Sequence, residues 1–404
     1  MTQGRVWSFA WRSLARQPGR ALLGVLGIAA IGALLFDMLL LSRGLIVSFR
    51  ALLESAGFDV RVSAGQPPVT TGPRIAEAGA VLSAIRSLPS VEEVIAVRFG
   101  QALATAPDGR PLELFFTGAD PVRRRPWIML EGRDLEAHGD AAPAAVVINR
   151  NLARRLAVIP GAQITLRGDC SREPVAVPPT QATVIGIAAF PFDDPKALTA
   201  AASLEDFERA CGFEKGDEAD MLLVASRGDV GPAAAVEAIR ALRPDLHAFS
   251  NEELVARFQQ VGFSYFQQIS AVLSTITVFF GFLLITVLLT VSVNQRLGEI
   301  AALRALGFTR TRVVLDVLAQ AVLVVGAGGA LSLPLGLALS RWLETILHAM
   351  PEIPSDMHFF VFEPRTLVLH GAVLALTALL AALYPMRLVA RLPIAATLRR
   401  ETIN

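Results

Sequence analysis

The chain is short of charge: 18% of its 404 residues are Asp, Glu, Lys or Arg, against about 25% in an ordinary soluble domain. The deficit is local. Between Arg257 and Arg296 there is no charged residue at all, as a lipid core requires, since a charge at the bilayer centre costs roughly 2.5–3.5 kcal/mol on insertion scales. Lysine is nearly absent, with Lys196 and Lys215 set against a large excess of Arg, and cysteine is limited to Cys170 and Cys211. A net charge of +1 gives no argument for nucleic acid or an acidic substrate. No Gly-x4-Gly-Lys-Ser/Thr phosphate loop, His-Glu-x-x-His helix or nucleophile elbow occurs. The chain therefore lacks a motif for binding ATP itself, and a non-catalytic role is expected. The five His residues are scattered. His348 and His358, near Glu344, Glu352 and Asp356, read as a solvated loop, and no metal ligand set is expected.

What is present is long apolar runs. A helix needs about 20 apolar residues to cross roughly 30 Å of hydrocarbon. Spans are expected at 21–41 (within a first transmembrane segment, 21–45), 269–293, 313–339 and 366–384. The first apolar stretch is too long for a signal-peptide core and reads as a retained anchor. Arg5, Arg12, Arg16 and Arg20 precede it; Arg296, Arg304, Arg310 and Arg312 lie between spans two and three; Arg387, Arg391, Arg399 and Arg400 follow span four. The loop between spans three and four holds Glu344, Glu352, Asp356 and Glu363. By the positive-inside rule both termini face the cytoplasm and residues 46–265 face outward.

Those roughly 220 residues exceed any connecting loop and have mixed α/β texture. Strands are expected at 58–63, 91–99, 112–117, 163–167, 183–188 and 221–225. Helices are expected at 76–88, 151–156, 204–211 and 232–242. A disulfide between Cys170 and Cys211 is permitted outside the cytoplasm, though spacing alone does not fix it. Ser250-x-x-Glu253 is a capping box. It opens a helix that either runs unbroken from Asn251 to Gln295, roughly 65 Å at 1.5 Å per residue, or breaks near Gly262.

In residues 295–306, Leu297, Ile300, Leu303 and Leu306 recur every third position, with Arg296, Glu299 and Arg304 among them and Gly307 placed to cap. The pattern suits an amphipathic helix at the cytoplasmic surface. Residues 1–20, with Trp7, Trp11 and Leu14 on one face, suit an interfacial helix. Small residues line Gly328, Ser332 and Gly336 of span three, and Ser270, Ser274, Thr277 and Gly281 of span two. Either stripe serves packing within one protomer or a dimer interface. Pro334 is placed to kink span three. Asp316 lies one turn from Arg312, and Asp37 falls near the outer boundary of span one, where a polar partner or outward snorkelling is expected.

Asn294–Val314, NQRLGEIAALRALGFTRTRVV, resembles the Glu-Ile, Leu-Arg-Ala-Leu-Gly loop of MacB/FtsX-like ABC transporter permeases, also called type VII or LolC/E-like. Tyr384–Arg400, YPMRLVARLPIAATLRR, is similar to that family's Tyr-Pro-x-Arg tail. Gly132–Gly168 resembles the core of its periplasmic domain, and AWRSLARQPGRALLGVLGIAAIGALL its N-terminal helix and first span. Asp37 and a shortened basic run before Glu299 depart from the family pattern.

The resemblance implies an integral membrane α-helical protein, with four transmembrane helices and a mixed α/β extracytoplasmic domain at 46–265. An FtsX-like domain would follow at 266–404. It implies a bacterial inner-membrane permease whose helix at 295–306 docks on a separate ABC ATPase. ATP and Mg would be held by that partner and no cofactor by this chain. Further implied are a homodimer or a heterodimer with a related permease, contact with membrane lipids, a periplasmic adaptor or carrier, and no nucleic acid. The expected function is export or extraction of a lipid, lipoprotein, peptide or drug by mechanotransmission. The alternative is an FtsX-like signalling subunit that regulates a cell-wall hydrolase; a third reading is a scaffold without an ATPase.

Overall fold

The computed structural model describes residues 4–16, 18–65, 72–105, 108–120, 123–136, 143–170, 178–212, 217–261, 264–295, 297–298, 300–301, 309–350 and 353–390. The chain divides into two compact units: Met1–Leu45, Phe263–Ile346 and His358–Asn404 form one, Ile46–Gly262 and Leu347–Met357 the other.

In the first unit, α1 (Gly4–Ala15) precedes α2 (Pro18–Ser55), whose residues up to Leu45 belong here. Among the described residues, four helices are long and apolar enough to cross a membrane: the one from Ala21 to Ser55, and those over Gln267–Asn294, Val314–Leu347 and Pro364–Leu388. Small residues set their packing. On α2, a Cβ on Gly24 would lie 3.2 Å from Leu288 and one on Gly27 would lie 2.8 Å from Leu284. α2 also meets the third span in parallel register, Ile28 beside Gly328, Gly32 beside Ser332 and Phe36 beside Gly336. Ile28, Leu35, Ile285, Leu289, Ala321, Val325, Leu374 and Ala381 form the shared core.

The second unit contains β1 (Val60–Ser63), β2 (Ile75–Ala76), α3 (Ala78–Arg86), β3 (Val91–Thr105), β4 (Pro111–Ala119), β5 (Ile128–Gly132), β6 (Ala144–Asn149) and α4 (Arg150–Leu156). There follow β7 (Gln163–Asp169), β8 (Thr180–Ala189), β9 (Thr199–Ser203), α5 (Leu204–Cys211), β10 (Glu218–Ala219), β11 (Met221–Ser226), α6 (Pro232–Leu242), β12 (His247–Ser250) and α7 (Asn251–Val261).

Strand β3 serves two layers. Its first half pairs with β11, and β1 and β12 continue that sheet. Val62, Val94, Leu222, Val224, Val81, Ile85, Val236 and Ile239 fill the space beneath α3 and α6. Its second half pairs with β4 and β7, and the pairings β4–β9, β9–β6, β6–β8 and β8–β7 close a ring. Within it, Leu114, Phe116, Val146, Ile148, Leu166, Val184 and Phe207 form a second core.

Local chemistry fixes the ends of the covering helices. Asn149 caps α4 by accepting from the Leu152 amide at 2.8 Å. Ser203 caps α5 by accepting from the Asp206 amide at 3.1 Å, and Gly212 ends it at φ 67°, where a side chain would be strained. Cys170, just after β7, is disulfide-bonded to Cys211 at the end of α5. Ser250 accepts from the Glu253 amide at 3.1 Å, half of the reciprocal capping pattern, and α7 starts there. The question of an unbroken helix from Asn251 to Gln295 falls on residues 262–263, outside the described residues.

Beyond the strands expected from sequence, β5, β6, β9 and β12 appear, as do the two-residue β2 and β10. Strand β3 runs on to Thr105, since its last residues have partners in both β4 and β7.

Candidate coupling site

α8 (Ser264–Asn294), α9 (Arg310–Leu347) and α10 (Pro364–Ala390) complete the first unit. The candidate site is the segment joining α8 to α9. Arg296, Glu299, Leu303, Arg304, Leu306 and Gly307 lie outside the described residues; Leu297, Gly298, Ile300 and Ala301 are helical. Ile300 is buried with Val293 of α8 and Val317 of α9, and Leu297, Met386 and Leu388 pack against them. The apolar side of the segment thus joins the ends of three membrane helices. Ile300 and Leu297 are three residues apart, about one helical turn, so both can face one seam.

Polar groups sit one layer further in. Gln320 Nε2 donates to Asp316 Oδ2 at 2.9 Å, and Ser292 Oγ donates to Gln320 Oε1 at 3.4 Å. Asp316 is therefore tied to its own helix and, through Gln320, to α8. Of the expected Asp316–Arg312 pair, the Arg312 side chain lies outside the described residues.

The small-residue stripes face inward. A Cβ on Gly328 would lie 2.7 Å from Ile28 Cγ2 and 3.0 Å from the Val25 carbonyl oxygen; one on Gly336 would lie 2.8 Å from the Phe36 ring. Ser332 is fully buried between them. On α8, Ser270 Oγ donates to the Met38 carbonyl at 3.0 Å, and a Cβ on Gly281 would meet Ile31 at 3.2 Å. Thr277 donates back to the Leu273 carbonyl at 2.7 Å, and Ser274 is half-buried. α9 remains helical through Pro334.

Sequence reasoning overlooked Thr366 and His370 of α10. Both are buried, and His370 Nε2 lies 2.9 Å from Ser332 Oγ. An ionisable residue inside an apolar span was the available signal. His358, at the other end of the unit, pairs with Glu344 at 3.0 Å.

Residues 21–242, more than half of the chain, match the MacB-like periplasmic core domain, and residues 271–394 match the FtsX-like permease C-terminal domain. No curated protein matches the chain significantly in sequence. Among solved structures, the chain is similar to the periplasmic region of MacB from Actinobacillus actinomycetemcomitans. That match has 10% identity and a TM-score of 0.39, and covers 52% of this chain and 98% of that one. It is also similar to the extracellular domain of the noncanonic ABC-type transporter YknZ from Gram-positive bacteria, at 11% identity and a TM-score of 0.33, covering 48% and 99%. A domain of a putative permease protein from Porphyromonas gingivalis matches at 15% identity and a TM-score of 0.31, covering 47% and 87%. The protein is multi-pass, with an extracytoplasmic domain. Its two domain matches, in this order along one chain with four apolar helices, make it a member of the MacB/FtsX-like family of ABC transporter permeases.

Proposed function

We propose that this permease subunit couples ATP hydrolysis on a separate ATPase to export or extraction of a hydrophobic substrate at the bacterial inner membrane. The substrate class is a lipid, lipoprotein, peptide or drug, handled on the extracytoplasmic side by mechanotransmission. The permease family implies the ATPase partner, which supplies ATP and Mg. In this reading residues 295–306 are the docking helix. Its charged face, Arg296, Glu299 and Arg304, meets the ATPase, and Leu303, Leu306 and Gly307 complete its fit. Two copies, or this chain with a related permease, would form the working unit, with or without a periplasmic adaptor. The segments are those read from sequence: 1–20 interfacial, 21–45 the first span, 46–265 extracytoplasmic, 266–404 the FtsX-like part.

The single observation that carries the reading is the burial of Ile300 against Val293 and Val317, with Met386 and Leu388 beside them. A force applied to this segment reaches α8, α9 and α10 together, because close-packed apolar contacts have little slack.

Copurification tests the proposal. The tagged permease is expressed with its co-encoded ATPase and purified with ATP trapped, alongside Leu303→Asp and Glu299→Arg. Retention of the ATPase by wild type and its loss from both variants is the expected result. If wild type retains no ATPase in any nucleotide state, the docking assignment fails.

A further inference from the structure

The loop that joins α9 to α10 along the chain contributes Leu347–Met357 to the extracytoplasmic unit. Its sequence reads as solvated, yet Met357 is 7% exposed. Two donors of Ser355 end on one acceptor. The Ser355 amide donates to the Asp193 carbonyl oxygen at 2.8 Å, and the Ser355 hydroxyl donates to the same oxygen at 3.0 Å. The Met357 amide donates to the Pro354 carbonyl at 3.0 Å, closing a turn around Ser355 and Asp356. His348 Nε2 lies 2.8 Å from the Met357 carbonyl oxygen. A carbonyl only accepts, so Nε2 carries the hydrogen there.

The acceptor sits in a braced corner between β8 and β9. The Asp193 carboxyl accepts from Asn149 Nδ2 and from Thr199 Oγ1, each at 2.6 Å. Asn149 also donates to the Ala197 carbonyl at 2.8 Å and caps α4. Asn151 Nδ2 donates to the Pro195 carbonyl at 3.0 Å, and the Phe115 amide of β4 donates to the Leu198 carbonyl at 2.8 Å. The corner is thereby fixed to β4, β6 and α4, so a pull on Asp193 reaches the ring of strands. Like charge stands against the two hydrogen bonds. Burial lifts the Asp193 carboxyl above its usual range, Thr199 and Asn149 offset this, and the charges of Asp194 and Asp356 raise it further. Ser355 and Asp356 are exposed, so water can replace these bonds when the contact opens.

We propose that residues 354–357 are a releasable strap. Ser355 hooks the loop between α9 and α10 onto the Asp193 corner, and Asp356 weakens the hook by adding like charge beside Asp193. Movement at the ends of α9 and α10 then reaches the ring of strands through this loop, a route separate from the segment 295–306. The strap stands independently of any ATPase.

Hydrogen exchange of the full chain in lipid nanodiscs, read at single amides, tests this without a partner. The Ser355 amide should be protected in wild type. Thr199→Val, close in shape to the native residue, removes one donor to Asp193 and should lower protection at Ser355 by roughly two- to tenfold, the range of a single hydrogen bond. Ser355→Pro has neither amide hydrogen nor hydroxyl and should lower protection at Asp193 and Ala197 by a similar factor. Asp356→Asn should raise protection at Ser355. Exchange of the wild-type Ser355 amide at the unfolded rate would overturn the hook, whether or not any variant folds. If Ser355 is unmoved by Thr199→Val, or Asp193 and Ala197 by Ser355→Pro, the strap passes nothing between loop and corner and the proposal falls. Unchanged or lower protection in Asp356→Asn would overturn the opposing charge.

Discussion

The two units bury polar groups by opposite means. In the extracytoplasmic domain a buried charge meets an opposite charge. Arg98, 2% exposed, lies 3.6 Å from Glu208 and over the Phe207 ring, while Arg74 bridges Glu218 and Asp220 at 3.2 Å each. Burial, reinforced by repulsion from Arg74, holds the Arg98 guanidinium below its usual range, and Asp220 and Glu208 offset this. In the membrane unit several threonine hydroxyls turn back on their own helices: Thr275 to Ala271, Thr286 to Phe282 and Thr377 to Val373. The buried carboxyl of Asp37 is met by a serine. Water around the extracytoplasmic domain allows charges to be gathered and paired at modest cost, whereas lipid offers no such reservoir, so local back-bonding is the cheap solution. Apolar residues invert in the same way. Phe279, Phe280, Val287 and Leu379 are exposed on membrane helices, whereas the sheet domain sequesters Phe58, Phe116 and Phe207.

The difference is sharpest in what closes each unit. A covalent link ties the ring of strands to α5; cutting it with Cys170→Ser leaves a 41-residue separation unconstrained. Loop-closure entropy predicts a loss of about 3–4 kcal/mol. Chemical denaturation with Trp127 of the extracytoplasmic core as reporter should show it. An equal loss in reducing buffer for wild type, and none for the variant, would sharpen the assignment to the bridge.

The membrane unit instead closes by approach of small residues. Gly328→Leu would drive a side chain into Ile28 and the Val25 carbonyl, whereas a Cβ on Gly326 meets nothing within 4 Å. The first change should cost about 1–3 kcal/mol, as overpacking does, and the second little. Thermal unfolding in detergent compares them. Equal losses would break the view that the stripe of α9 packs within the protomer.

The smallest effect belongs to Asp120. Burial raises its carboxyl above the usual range, and the Ala96 amide donating at 3.1 Å offsets this. The folded domain therefore holds that proton to higher pH than the unfolded chain. Its contribution to stability falls as pH rises from about 3.9, the ordinary carboxylate value, through the raised native value. Asp120→Asn should remove this slope and be slightly more stable at neutral pH, which denaturation midpoints across pH would register.

The spans were legible because length and hydropathy are one-dimensional properties. The amphipathic helices of the outer domain were legible too: α5 and α6 begin and end where their periodicity does. Strand β9, Thr-Ala-Ala-Ala-Ser, is buried at every residue. It shows no alternation, and alanine favours strands little, so nothing local marks it. Strand β5 fails for the opposite reason: all but one of its residues, Met129, are exposed. At the coupling segment the every-third-residue pattern singled out Leu297 and Ile300, but not the neighbours they would meet.

Sequence by itself determined that four segments must leave water and that a mixed α/β domain lies between the first two. Each follows from transfer free energies and charge placement, which depend on composition along the chain. Tertiary structure alone decided that Cys170 meets Cys211, that Gly328 receives Ile28, and that His370 meets Ser332. Such pairings join residues up to hundreds of positions apart, and only the packing of helices and strands in three dimensions fixes which side chains share a space.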